Sequence, residues 1–284
     1  MKTVRIIPRL DIKGPNLVKG IHLEGLRVLG NPETFARYYY ENGADELFYQ
    51  DVVASLYERN SLNDLITKTA KEIFIPLTVG GGIRTIEDIR SVLRAGADKV
   101  CINTAAIKEP EFIKKASRVF GSSTIVIAIE AIKQTEGTYL AYTDNGREYT
   151  GVEVVGWAKK VEELGAGEIV ITSVDREGTG MGFDVDLIKM VAEAVSIPII
   201  AHGGASSEED ICCMVENSNS DAVAVASILH YGLIDTQNKT DNAGEKEEGN
   251  FEFLKSGKSF STITPSSISN IKQSLNNKNI SVRL

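Results

Sequence analysis

The 284-residue chain is 42% hydrophobic and 25% charged, with a formal net charge of −8. That length can bury a sizeable core, and the acidic balance argues against general nucleic-acid binding while leaving room for a local basic patch that takes phosphates. No apolar run approaches the roughly 18–20 residues of a membrane span.

Met1 to Arg5 leads straight into a strand-like run, so no signal peptide is expected and a cytoplasmic location is. The three cysteines, Cys101, Cys212 and Cys213, lack CxxC or zinc-like spacing and fit a reducing compartment. His22, His202 and His230 show no ligand spacing, so neither a metal site nor a cofactor is expected.

Thr3 to Asp11 reads as a strand that ends in an acid. Lys13 to Gly30 is Gly-rich and polar, with a short β pattern at 17–20; it is long for a loop, which points to function. Pro32 opens a helix to about Asn42, and 43–51 is turn plus strand, ending at Asp51. Residues 61–73 carry a helical apolar period. Strands at 75–79 and 98–102 alternate with helices at about 85–94 and 109–118. Ser123 to Glu130 is a nearly unbroken apolar strand, again ending in an acid, and 131–150 has hairpin character around Asp144-Asn145-Gly146. Helices at 152–163, about 185–195, 207–216 and 266–278 alternate with strands at 168–172, 197–201 and 221–225.

Eight strand–helix units with continuously apolar strands imply a parallel sheet covered on both sides, and favour a closed (β/α)₈ TIM barrel in a single domain over 1–284. One segment, 235–264, is polar and Gly/Asn-rich, and follows a short turn at 227–231. It reads as a flexible surface insertion before the last helix, whose apolar centre, Phe251 to Leu254, could anchor a lid or a partner contact.

The halves echo each other. Ile75-Pro76-Leu77-Thr78-Val79-Gly80-Gly81-Gly82 returns as Ile197-Pro198-Ile199-Ile200-Ala201-His202-Gly203-Gly204, and Asp11 falls opposite Glu130. Glycines at a strand-to-helix turn let backbone N–H groups approach an anion. Gly81 and Gly82 with Asn103 and Thr104 form one expected phosphate grip; Gly203 and Gly204 with Ala226 and Ser227 form the other. Together they suggest a substrate phosphorylated at both ends.

Barrel chemistry sits at the C-terminal strand ends. Asp11 and Glu130 would face each other there as acid–base partners. Asp175 in a Gly-flanked loop could bind substrate hydroxyls, and Lys19 supplies a cation on a mobile loop above. At the opposite end Arg5, Glu46, Lys99 and Glu168 open four strands; two cations and two anions there make a self-neutralising plug.

These residues, with Ile6-Ile7-Pro8, Val18-Lys19-Gly20, Leu93 to Val100, Ile102 to Ala106 and Val282-Arg283-Leu284, closely resemble the cyclase subunit of imidazole glycerol phosphate synthase, the HisF family. The resemblance covers nearly the whole chain outside 235–264. It implies an ammonia-dependent lyase of histidine biosynthesis that converts phosphoribulosyl-formimino-aminoimidazole carboxamide ribonucleotide to imidazole glycerol phosphate and an aminoimidazole carboxamide ribotide. Under it Asp11 and Glu130 are base and acid, and Arg5, Glu46, Lys99 and Glu168 become an ammonia gate. A glutaminase partner would dock on the N-terminal face with Asp98 at the interface. The family usually has Asp at 130, a small residue at 9 and Ser at 202, where this chain has Glu130, Arg9 and His202. With the insertion, these departures resemble a divergent branch found beside surface-polysaccharide genes. The alternative function is therefore an ammonia-channelling subunit for amidation of a sugar. A phosphoribosyl sugar isomerase of the same barrel type is disfavoured, because it has no need of an ammonia gate.

Overall fold

The computed structural model describes residues 2–54, 62–240 and 262–283, the backbone alone over 235–240. Eight parallel strands form the barrel: β1 (Arg5–Lys13), β4 (Leu47–Asp51), β5 (Leu77–Gly80), β6 (Lys99–Ile102), β7 (Ile125–Lys133), β10 (Glu168–Ser173), β11 (Ile199–His202) and β12 (Ala222–Val225). They neighbour one another in chain order, β1 pairs with β12, and the β7–β10 pairing completes the closure. The strands are buried on both faces, and their apolar runs are interrupted by inward-facing polar residues such as Arg5, Arg9, Asp11, Glu168 and Thr172.

The connecting helices start and stop where the local chemistry dictates. Asn31 accepts from Thr34 N ahead of α1 (Pro32–Glu41), with proline in the first turn. Thr85 and Asp88 form a reciprocal capping box on the helix Ile86–Ala95. Ser207 caps Glu208–Ser218, which ends on Asn219 in the left-handed region at φ 56°. The last helix, Ile268–Asn277, is tied to the barrel floor by Lys272, whose ammonium meets the buried Asp45 carboxylate at 2.8 Å. Asp45 also accepts from the Ile6 amide.

Side chains two apart along each strand point into the barrel, and they build three layers. The floor holds Arg5, Glu46, Thr78, Lys99 and Glu168. The middle is apolar: Ile7, Phe48, Cys101, Val126, Val170, Ile200, Ala222 and Ala224. The top holds Arg9, Thr172 and His202.

Two excursions break the strand–helix rhythm, and they follow strands β1 and β7, the first of each half. Residues 13–30 form a hairpin, β2 (Asn16–Ile21) with β3 (Glu24–Gly30), in which β2 pairs antiparallel with β1. After β7 the chain makes an antiparallel meander through β8 (Tyr139–Thr143) and β9 (Glu148–Glu153). The short turn expected at 227–231 is instead the start of a helix, Ser227–Thr240. The buried residues Ile228, Leu229, Leu233 and Ile234 give that helix an apolar face, and the polar residues 235–240 extend it in the backbone. Residues 241–261, including Phe251 to Leu254, lie outside the described residues. Among the described residues no helix is long and apolar enough to cross a membrane.

Candidate active site at the barrel mouth

Asp11 lies on β1 where that strand leaves the barrel and pairs with the hairpin. It is 2% exposed and sits between two cations. Arg9 Nε donates to its Oδ1 at 2.9 Å, and Lys19 Nζ lies 3.6 Å from its Oδ2. Burial opposes a charge there, but Arg9 and Lys19 outweigh it and hold the Asp11 carboxyl below the usual carboxylate range. Lys19 is expected on a mobile loop; it lies instead on β2, 4% exposed, with its ammonium also paired to Glu177. Burial disfavours that charge, and Glu177 and Asp11 restore and raise its basicity.

Glu130 meets a different environment. It faces a cavity of about 570 Å³ that Arg9, Gly81, Gly82, Asn103, Thr104 and Thr172 also line. The Gly146 amide donates to its Oε2 at 2.8 Å. Its depth in the protein pushes the carboxyl up to about 7, only partly offset by Gly146, Arg9 and Asn103. Two carboxylates at one mouth thus hold different proton states near neutral pH, the arrangement general acid–base chemistry needs.

The first glycine grip lines this cavity. Gly81 and Gly82 take φ of 103° and 70°, and a Cβ on Gly81 would collide with the Asp51 carbonyl. The Thr104 hydroxyl lies beside Asp144 in the β8–β9 turn, while Asn103 donates to the Tyr142 carbonyl and its Oδ1 is buried without a partner. A cavity of this size suits a small-molecule substrate. Asp51 spends its carboxylate on the Val53 and Ala54 amides.

The second grip sits under other backbone. Gly204 O accepts from Gly182 N at 2.9 Å, and a Cβ on Gly204 would meet the Gly182 carbonyl. Ser227 and Ala226 are buried beside it, at 7% and 6% exposure. Backbone of the loop 174–182 packs against Gly203 and Gly204, and Gly203, Gly204, Ala226 and Ser227 do not line the cavity that Glu130 faces. Asp175, in the same loop, points outward and accepts from the Lys133 amide at 2.8 Å.

One residue here escapes sequence reasoning. Glu177, 1% exposed, takes the Lys19 ammonium on one oxygen and the Leu23 amide on the other, while its backbone carbonyl accepts from His22 N. It latches the hairpin onto the loop. The sequence signal for it is its place two residues after Asp175 in the acidic, Gly-flanked run Asp175-Arg176-Glu177-Gly178.

At the other end the four ring residues do meet. Arg5 pairs with Glu46 at 2.9 Å and with Glu168; Lys99 pairs with Glu46 at 2.9 Å and Glu168 at 3.0 Å. Thr78 donates to Glu46. Each cation thus touches both anions, which closes the axis. Asp98 is exposed at the same end and accepts from the Leu77 amide. Among the described residues no cluster could hold a metal ion.

A family sequence model described as "Histidine biosynthesis protein" matches residues 5–235. A relative from Legionella pneumophila, named imidazole glycerol phosphate synthase subunit HisF, is 57% identical over 210 residues, 74% of this chain and 99% of that protein. Two further proteins bear the same name. One from Methanococcus vannielii is 46% identical over 257 residues, 84% of this chain and 94% of its own length. One from Alkaliphilus metalliredigens is 47% identical over 234 residues, 82% and 93% respectively.

Proposed function

Because the chain belongs to the HisF family of imidazole glycerol phosphate synthase subunits, we propose that it is the ammonia-using cyclase of histidine biosynthesis. Its substrate is the phosphoribulosyl-formimino-aminoimidazole carboxamide ribonucleotide, and its products are imidazole glycerol phosphate and an aminoimidazole carboxamide ribotide. The observation that carries this reading is the pair of carboxylates at one mouth, Asp11 kept ionised and Glu130 raised to about 7, above a self-neutralised charged ring at the other end of the same barrel.

Ammonia enters past Arg5, Glu46, Lys99 and Glu168, delivered by a glutaminase subunit on the N-terminal face, where Asp98 is exposed. A net-neutral ring costs a neutral molecule little to pass and opposes leakage of ions. At the mouth Asp11 accepts a proton from the attacking nitrogen. The ketone oxygen leaves as water as the carbon–nitrogen bond forms, and Glu130, half-protonated near pH 7, returns a proton to the nitrogen on which the aminoimidazole leaves. Gly81, Gly82, Asn103 and Thr104 hold one phosphate with backbone and hydroxyl donors. Gly203, Gly204, Ala226 and Ser227 take the second once the 174–182 loop shifts, and Lys19 stabilises developing negative charge beside Asp11.

Incubation of the chain with the ribulosyl substrate and ¹⁵N-ammonium salt tests the reading. Imidazole glycerol phosphate one mass unit heavier is expected; unlabelled product, or none, sinks it.

A further inference from the structure

Arg9 stands in the top layer of the barrel, 5% exposed, and is held from several sides. Nε donates to Asp11 at 2.9 Å, and Nη1 lies 3.2 Å from His202 Nδ1. The guanidinium lies over the Phe48 ring, 5.5 Å from its centroid. The backbone carbonyl of Arg9 accepts from His230 Nε2, whose Nδ1 faces the Tyr39 hydroxyl at 2.6 Å.

His202 is what aims the fork. Its Nδ1 also lies 3.1 Å from the Thr172 hydroxyl, so that nitrogen serves as an acceptor and the ring proton sits on Nε2. Burial, with Arg9 and Lys19 nearby, keeps the imidazole neutral. Aimed this way, Arg9 hydrogen-bonds Asp11 and not Glu130, although both lie within its field.

The charges around each carboxyl are unequal as a result. Asp11 faces Arg9 and Lys19, with the neutral His230 behind and Glu177 on the far side of Lys19. Glu130 faces the Gly146 amide, Asn103 and the like charge of Asp144, with Arg9 at longer range and the Cys101 thiol below, itself pushed up to about 12 by burial.

We propose that Arg9 is a positioning residue of this chain: it pins the Asp11 carboxylate through Nε and holds it ionised and oriented, while His202 turns the fork away from Glu130 and leaves that carboxyl free to carry the proton. The assignment of roles rests on the cyclase reading above. The asymmetry it describes belongs to the apo protein and is measurable without turnover.

The test is a site-resolved ¹³C-carboxyl NMR titration of the wild type, Arg9→Lys and Arg9→Met, beside the pH profile of kcat/KM for the ribulosyl substrate at fixed free ammonia. In the wild type Glu130 titrates near 7 while Asp11 stays ionised throughout. In Arg9→Met the Asp11 midpoint rises by about one pH unit or more, and the acid limb of the profile moves with it, so the active window narrows from the acid side. Arg9→Lys keeps the charge and restores most of the window. Asp11 and Glu130 titrating over the same range in the wild type would overturn the proposal. So would an Arg9→Met profile that loses height but keeps both limbs. If Arg9→Met does not fold, the wild-type titration and Arg9→Lys decide. Absent wild-type turnover would fault the cyclase reading alone, and the titration would still decide the role of Arg9.

Discussion

Asp11 and Glu130 carry the same functional group, and their neighbours separate them. Two cations fix one as a carboxylate; depth and a like charge keep the other near its midpoint at neutral pH. Glu130 thereby works against stability. Its folded pKa lies above its unfolded value, so its contribution is fully present below about pH 4.5 and is lost as pH rises towards 7. With cavity water screening part of it, that loss is about 1–3 kcal/mol. Glu130→Gln should therefore melt higher than the wild type at pH 8 and show no advantage at pH 4.5, by thermal unfolding, while ammonia-dependent turnover falls about 100-fold or more. Equal melting temperatures at pH 8 would contradict the assigned environment. Both acids were legible as strand-end carboxylates. Their opposite proton states were not, because those depend on Arg9, Lys19 and Gly146, whose approach no spacing along the chain reveals.

At the scale of elements, the hairpin over residues 16–30 is the part that the sequence describes least well. A polar Gly-rich stretch reads as a loop, yet its backbone finds partners in β1, and Lys19 finds Glu177 across the mouth. That buried pair, more than hairpin propensity, holds the element down. Glu177→Ala leaves the Lys19 ammonium with Asp11 alone and unlatches the hairpin. Hydrogen exchange of 16–30 should speed by tenfold or more while the barrel strands keep their protection. Uniform acceleration through the barrel would mean that Glu177 supports the whole fold instead. The glycine turn after β5 is the opposite case, since three glycines in a row announce backbone that side chains cannot adopt. Gly81→Ala forces a Cβ against the Asp51 carbonyl at φ 103°, and should cost about 1–3 kcal/mol in chemical denaturation.

The whole molecule is two echoing halves, each with a hairpin excursion after its first strand. The barrel was legible because eight apolar strands alternate with amphipathic helices, a pattern few architectures accommodate. The helix through 235–240 was not, because its residues are polar and it continues on the strength of an apolar face laid down before it. The echo also overstates the symmetry of the mouth: one glycine grip lines the cavity, while backbone of 174–182 packs against Gly203 and Gly204 of the other. The charged ring spans the opposite end, so its effect should separate delivery from chemistry. Lys99→Ala should leave turnover with ammonium salt within about twofold, and change the share of glutamine nitrogen that reaches product when the glutaminase subunit is present. Loss of both activities together would argue that the ring is only a structural plug.

The central claim is that this barrel uses Asp11 and Glu130 to build an imidazole from free ammonia. Turnover of the ribulosyl substrate by the chain alone, with excess ammonium salt near pH 7.5, where Glu130 is still partly protonated, tests it most directly when wild type and Asp11→Asn are measured side by side. Imidazole glycerol phosphate is expected from the wild type at a rate at least about 100-fold above that of Asp11→Asn. Wild-type product no greater than that of Asp11→Asn would contradict it.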